Sequence, residues 1–211
     1  IILKKKTKLI IAKSKKKIFD IASDNSKKIL IFDDGLQDKN VCYDLEFVCF
    51  DSENWIGNSC LMPSGPLREK LQSLKKYDGV FLKEESNNNS NIIKQIKKHN
   101  SKIQIYRTYY EPINLEKFDL SEKYLIFSGI GNSSSFKKIL LKNDFKIVEE
   151  IIYPDHFNYN EHDIEKIKMR ANELNAKIIT TEKDYVKILK TDQKDLSFLK
   201  INLKIKNEKK F

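Results

Sequence analysis

Five short stretches of the 211-residue chain combine residue types that can do chemistry. In I-L-I-F-D-D-G-L-Q, residues 29–37, an apolar run ends in Asp33 and Asp34. Carboxylates at the carboxyl end of a strand stand where open α/β sheets bind ligands. A pair there suits Mg²⁺, which takes oxygen donors and keeps nucleotide phosphates in its shell. In P-loop enzymes an acid so placed is the Walker B element. Asp-Asp-Gly is equally good turn chemistry. In L-M-P-S-G-P-L-R-E, residues 61–69, two prolines and a glycine stiffen a loop ahead of Arg68 and Glu69. The guanidinium could hold a phosphate and the carboxylate could join a metal's ligands. A rigid connector with a surface ion pair explains these residues as well.

The other three lie further along. F-S-G-I-G-N-S-S-S-F, residues 127–136, reads as a strand, a glycine turn at Gly129 and Gly131, and a helix start near Asn132. Its backbone N–H groups could meet an anion, yet it lacks both the third glycine of a dinucleotide fingerprint and the G-K-[ST] of a P-loop, so tight helix packing is the simpler reading. Y-P-D-H, residues 153–156, sets His156 beside Asp155, a pairing suited to proton transfer near neutrality, although a lone histidine is more often structural. In I-I-T-T-E-K-D-Y-V-K-I, residues 178–188, Thr180 or Thr181 can cap a helix whose first turn holds Glu182, while Lys183 and Asp184 could face a ligand.

The elements that must carry these stretches alternate between strand-like and helix-like. Apolar runs predict strands at residues 7–12, 29–33, 45–50 and 80–82, and their continuity suits a parallel sheet covered on both faces. Helical spacing appears at 15–22 and at 67–76, the latter just after Pro66. A polar stretch at 84–91 leads into a helix at 92–99, and the aromatic, alternating stretch 102–110 reads as a long strand. A second set follows: strands at 124–127, 146–152 and 178–180, with helices at 134–142, 161–174 and 183–189. The last alternating segment, 199–205, is expected to pair with the strand at 103–109. Alternation of this kind predicts an α/β fold. The expected division is a first α/β domain at 1–101, a linker strand at 102–118, a second, smaller α/β domain at 119–196, and a strand at 197–211 returning to the linker.

The chain carries a net charge of +10, with 33% charged and 40% hydrophobic residues. That charge would suit nucleic acid or an anionic membrane surface. Only Arg68, Arg107 and Arg170 are arginine, however, and guanidinium is the group that reads phosphates and guanine edges in a bidentate way. A solvated lysine surface is therefore expected, with no nucleic-acid partner. Cys42, Cys49 and Cys60 show no metal or disulfide spacing and are expected as reduced thiols, the first two in or near a buried strand. No apolar run is long enough to span a bilayer, and the start lacks a signal-peptide core. The chain begins at Ile1, with Met62 and Met169 internal, so a fragment of a longer protein is expected.

Taken in order, D-D-G-L-Q, L-M-P-S-G-P-L-R-E, F-S-G-I-G-N, Y-P-D-H-F and T-T-E-K-D resemble the lipid A 4′-kinases, the tetraacyldisaccharide 4′-kinase family. The resemblance covers the chain from about residue 7 to 190. It implies a P-loop-kinase-like α/β/α sandwich, incomplete at its P-loop end, plus a second α/β/α domain joined by a two-stranded linker. It implies an ATP- and Mg²⁺-dependent enzyme that phosphorylates the 4′-hydroxyl of a tetraacylated glucosamine disaccharide 1-phosphate in lipid A biosynthesis. The enzyme would be a monomer, peripheral on the anionic cytoplasmic face of the inner membrane.

By the same resemblance Asp33 and Asp34 would organise Mg²⁺ with Gln37 near them, and Arg68 and Glu69 would approach the nucleotide and metal. His156 would assist activation of the sugar hydroxyl. Asp155, Gly129, Gly131, Asn132, Lys183 and Asp184 would stand at the substrate or domain cleft. Two family features do not occur in these 211 residues: a G-x-x-x-x-G-K-[ST] loop and an upstream catalytic acid. Without the phosphate cradle the 211 residues are expected not to turn over ATP on their own. The alternatives are a non-catalytic binding module on the same fold and a basic nucleic-acid-binding protein.

Overall fold

The computed structural model describes residues 17–18, 21, 29–38, 40–84 and 89–206. The expected strand at 7–12 and most of the expected helix at 15–22 lie outside them. Tyr110–Leu203 forms one compact unit, and residues 17–109 with 204–206 form the other. The two are called the second and first unit here, in chain order.

In the first unit, β1 (Phe47–Asp51), β2 (Gly79–Lys83) and β3 (Gln104–Pro112) form a sheet in the order β1-β2-β3-β8, β8 being Ile201–Ile205. β1 with β2 and β2 with β3 run parallel. β3 and β8 run antiparallel, since the Lys206 N–H donates to the Arg107 carbonyl at 2.7 Å and the Ile113 N–H to the Lys200 carbonyl at 2.9 Å. Among the described residues a core lies on the sheet face where the alternate residues Val80 and Leu82 of β2 meet Leu74, Tyr77, Ile96 and Ile103. Each such buried aliphatic side chain contributes about 1.5–3 kcal/mol. Helix α1 (Ser90–His99) turns Ile92, Ile93 and Ile96 to that core, and its basic last turn, Lys97 to His99, complements the helix dipole.

In the second unit, four parallel strands are ordered β5-β4-β6-β7: β4 (Lys123–Ser128), β5 (Lys146–Ile152), β6 (Lys177–Thr181) and β7 (Leu196–Leu199). Side-chain alternation along β4 divides the core in two. Tyr124 and Ile126 pack with Phe136, Ile139 and Leu140 of α2 (Ser133–Lys142). Leu125 and Phe127 pack with Ile164, Ile167 and Ala171 of α3 (Glu161–Glu173). Helices therefore cover both faces of this sheet. Asn132 caps α2 by accepting from the Ser135 N–H at 3.1 Å. Asn160 caps α3 in a reciprocal box with Asp163.

Several expectations need correction. Residues 29–32 form no strand, and Asp33-Asp34 sit in a turn. An apolar run becomes a strand only where a neighbour pairs and covers it. No described strand pairs with 29–33, and Ile29 and Ile31 are 80% and 92% exposed. The helix at 67–76 shrinks to a 3₁₀ segment, Leu71–Lys76, so Arg68 and Glu69 lie before it rather than in a first helical turn. Upstream backbone groups are already used, with the Met62 N–H donating to the Leu67 carbonyl and the Leu67 N–H to the Cys60 carbonyl. The helix at 183–189 ends early as the single turn α4 (Glu182–Tyr185), and the Gln193 amide donates to the Tyr185 and Ile188 carbonyls. The closing segment is two strands: β7 extends the second sheet and only β8 joins β3. All three cysteines are exposed, and Cys49 of β1 alternates onto the sheet face opposite Val48 and Phe50.

Candidate active site

Three loops leave the carboxyl ends of β4, β5 and β6, and each carries one of the stretches picked from the sequence. The β4 loop leads into α2 on one face of the sheet, while the β5 and β6 loops lead into α3 and α4. Loops that diverge to opposite faces open the crevice in which α/β sheets bind ligands.

The junction of these loops is a buried carboxylate. Asp184 is 0% exposed. Its Oδ2 accepts the Gly129 N–H at 3.0 Å and the Thr181 hydroxyl at 2.7 Å, and its Oδ1 pairs with Lys187 Nζ at 3.0 Å. Thr181 Oγ1 in turn accepts the Asp184 N–H at 3.1 Å, which caps α4. Gly129 cannot carry a side chain here: a Cβ would stand 2.9 Å from the Tyr159 hydroxyl and 3.2 Å from the Pro154 carbonyl oxygen. The Tyr159 hydroxyl is buried with no hydrogen-bond partner among the described residues, and burial and the charge of Asp184 push its pKa up.

The β5 loop presents Asp155 and His156 to solvent. His156 has φ 62°, a left-handed backbone that non-glycine residues rarely adopt, and its side chain is 77% exposed. Asp155 Oδ1 accepts from Lys183 Nζ at 3.2 Å and from the His156 N–H at 2.9 Å. The Lys183 ammonium is the main reason its carboxyl titrates below the usual range. His156 Nε2 stands 3.7 Å from Asp155 Oδ2, an electrostatic contact too long for a hydrogen bond. A Cβ on Gly131 would face the same carboxylate at 3.4 Å. An exposed imidazole backed by a carboxylate that stays ionised can accept a proton from a hydroxyl and tolerate the charge that results.

In the first unit, Arg68 grips Asp34 with both ends of its guanidinium, Nη1 to Oδ1 at 2.7 Å and Nη2 to Oδ2 at 2.9 Å. The Gln37 amide oxygen accepts from the same Nη1 at 3.3 Å. Arg68 holds the Asp34 carboxyl below its ordinary range. Asp34 has φ 57°, and the turn that follows is held where the Tyr43 hydroxyl donates to the Gly35 carbonyl at 2.9 Å. Asp33 is exposed. Glu69 faces its own segment: Tyr77 donates to Oε1 at 3.0 Å and Lys76 lies 3.6 Å from Oε2. Burial and the Glu69 carboxylate push the Tyr77 phenol up to about 12.

The structure thus brings Asp34, Gln37 and Arg68 together in one unit, and Gly129, Gly131, Asp155, Lys183 and Asp184 together in the other. Asp184 is no ligand-facing residue, because it is wholly buried and both its oxygens are engaged. Lys187 and Thr181 were missed as partners of that carboxylate. Lys187 is three residues beyond Asp184, one helical turn, and that spacing was the available signal. Asp33, Asp34 and Gln37 offer the oxygen donors that Mg²⁺ takes, and one or two carboxylates suffice when phosphates complete the shell. Among the described residues no three His, Cys, Asp or Glu side chains are grouped to hold a metal by themselves.

The tetraacyldisaccharide-1-P 4′-kinase family model matches residues 1–211. The chain belongs to that family. The tetraacyldisaccharide 4′-kinase of Pelagibacter ubique is 45% identical over 182 residues, 86% of this chain and 58% of the relative. That of Rickettsia typhi is 35% identical over 208 residues, 98% of this chain and 63% of the relative. The chain therefore spans about three-fifths of the length of these curated kinases. Among solved structures, the "apo" form of LpxK from Aquifex aeolicus in complex with ATP matches with a TM-score of 0.55 at 22% identity, over 84% of this chain and 53% of that one. The likeness shows that the α/β fold with parallel sheets is shared with this 4′-kinase.

Proposed function

We propose that the protein transfers the γ-phosphoryl group of ATP to the 4′-hydroxyl of a tetraacylated glucosamine disaccharide 1-phosphate, in lipid A biosynthesis. The family match along the whole chain, residues 1–211, carries this proposal. Asp33 and Asp34, with Gln37, would hold Mg²⁺, which when bound neutralises charge on the transferring phosphoryl group. Arg68, released from Asp34, would take phosphate oxygens in its planar fork. Glu69, engaged by Tyr77 and Lys76, steadies the loop that carries Arg68. His156 would assist the family's upstream catalytic carboxylate, which takes the proton as the sugar oxygen forms its bond to phosphorus and the bond to the ADP oxygen breaks, and Asp155 would offset positive charge on the imidazole.

The substrate's acyl chains place the enzyme at a membrane. No helix among the described residues is long and apolar enough to cross one, so peripheral attachment through the lysine-rich surface to the anionic cytoplasmic face of the inner membrane fits the +10 charge.

A chimera tests this reading: the 211 residues replace the matched segment of the Pelagibacter ubique kinase, and transfer of labelled phosphate from ATP to the disaccharide is followed. Transfer by the chimera, lost in its Asp34→Ala form, is expected, with no turnover by the 211 residues alone. A folded chimera without activity, or a near-normal rate in the Asp34→Ala chimera, would overturn it.

A further inference from the structure

His156 sits in an unfavourable left-handed backbone conformation, at φ 62°, on an exposed loop. A conformation of that kind persists only when its surroundings enforce it. Both flanking residues are tied to the segment around α4. On one side Lys183 Nζ holds the Asp155 side chain at 3.2 Å. On the other, Lys187 Nζ donates to the Phe157 carbonyl at 3.4 Å. The Phe157 ring is also pinned, between Tyr153 and Tyr159 at centroid distances of 4.5 and 5.2 Å.

Lys187 is aimed by Asp184. The carboxylate is wholly buried and the lysine side chain is 20% exposed, so both groups lose hydration in forming their 3.0 Å pair. An apolar pair of similar volume would often serve stability as well or better. What an apolar pair could not do is hold the Gly129 N–H, the Thr181 hydroxyl and, through Lys187, the Phe157 carbonyl at once. We propose that Lys187, oriented by Asp184, is a positioning residue that sets His156, while Asp184 itself makes no substrate contact. The functional half of this inference rests on His156 assisting proton removal from the sugar hydroxyl in the 4′-kinase reaction. The structural half stands without it.

The test uses the isotopically labelled 211-residue chain and the variants Lys187→Met, which keeps the stem and removes the ammonium, and Lys187→Arg, which restores a donor. In Lys187→Met the amide resonances of Asp155–Phe157 and the His156 ring resonances should shift and lose order, while His99 and His162 stay where they are. Lys187→Arg should recover most of the wild-type spectrum. In the kinase chimera, Lys187→Met should lower kcat about 10–100-fold with KM for ATP within about twofold, the scale of a small misplacement of a catalytic group. Unchanged Asp155–Phe157 resonances in Lys187→Met would overturn the positioning role. A shifted spectrum with an unchanged kcat would instead overturn the part given to His156. If Lys187→Met does not fold, Asp184→Asn, nearly isosteric, gives the same reading: unchanged resonances at Asp155–Phe157 refute the inference and displaced ones support it.

Discussion

Two acid–base pairs, one in each unit, do opposite jobs. Asp34 and Arg68 form a bidentate pair whose side chains are 70% and 51% exposed, while Asp184 and Lys187 meet through one carboxylate oxygen, with side chains 0% and 20% exposed. Water competes for the first pair at every moment, so breaking it costs little. Nothing solvates Asp184 if Lys187, Gly129 and Thr181 let go, so that pair stays closed. An exposed pair can be exchanged for a metal ion and a phosphate, each partner finding a better ligand of opposite charge. A buried pair is suited to holding a loop still. In the proposed kinase, the exposed pair of the first unit would open when nucleotide arrives, whereas the buried pair of the second holds the His156 loop beforehand.

The contrast can be broken at several points. His156→Ala in the chimera should slow phosphoryl transfer the most, by about 10²–10⁴-fold, the usual worth of a group engaged in proton transfer, with thermal stability unchanged. Asp184→Ala should destabilise the second unit by about 3 kcal/mol in chemical denaturation, since it strands the Gly129 N–H and the Lys187 charge in a dry site. Gly129→Ala, whose Cβ would press on Tyr159 and Pro154, should cost about 1–3 kcal/mol by the same measurement. Arg68→Gln should leave the denaturation midpoint in place yet raise the Asp34 carboxyl titration followed by NMR. Because Arg68 lowers the folded-state pKa of Asp34, whatever stability the pair gives is complete above the unfolded carboxylate range, near pH 4, and disappears as pH falls through the folded value. A midpoint that moves as far in Arg68→Gln as in Asp184→Ala would erase the distinction between the pairs.

Much of the second unit was legible because its signals are local. The run Lys146–Ile152, rich in Ile and followed by Tyr-Pro, is β5 from end to end. The helices expected at 134–142 and 161–174 are α2 and α3, which the structure shows capped by Asn132 and Asn160. What escaped depends on distant partners. Residues 197–199 fall in the expected closing segment, and only pairing with Ile178–Thr181 makes Leu196–Leu199 a separate strand, β7. I-L-I-F at 29–32 has strand composition and no described strand to pair with. At the candidate site the residue types and their order were readable. The burial of Asp184 was not, because a Thr-Thr-Glu-Lys-Asp turn looks the same in sequence whether its last carboxylate faces a ligand or the Gly129 amide. The reach of Lys187 to Phe157, 30 residues away in sequence, was equally hidden.

Whether the loops of the second unit are held in advance, while the exposed pair of the first is not, is read by amide hydrogen exchange in the 211-residue chain. The Gly129 amide, held by a buried carboxylate, should exchange only on opening of the second unit, about a thousandfold more slowly than the amides of Asp33 and Asp34 in their exposed turn. Exchange of Gly129 within about tenfold of those amides would contradict the claim.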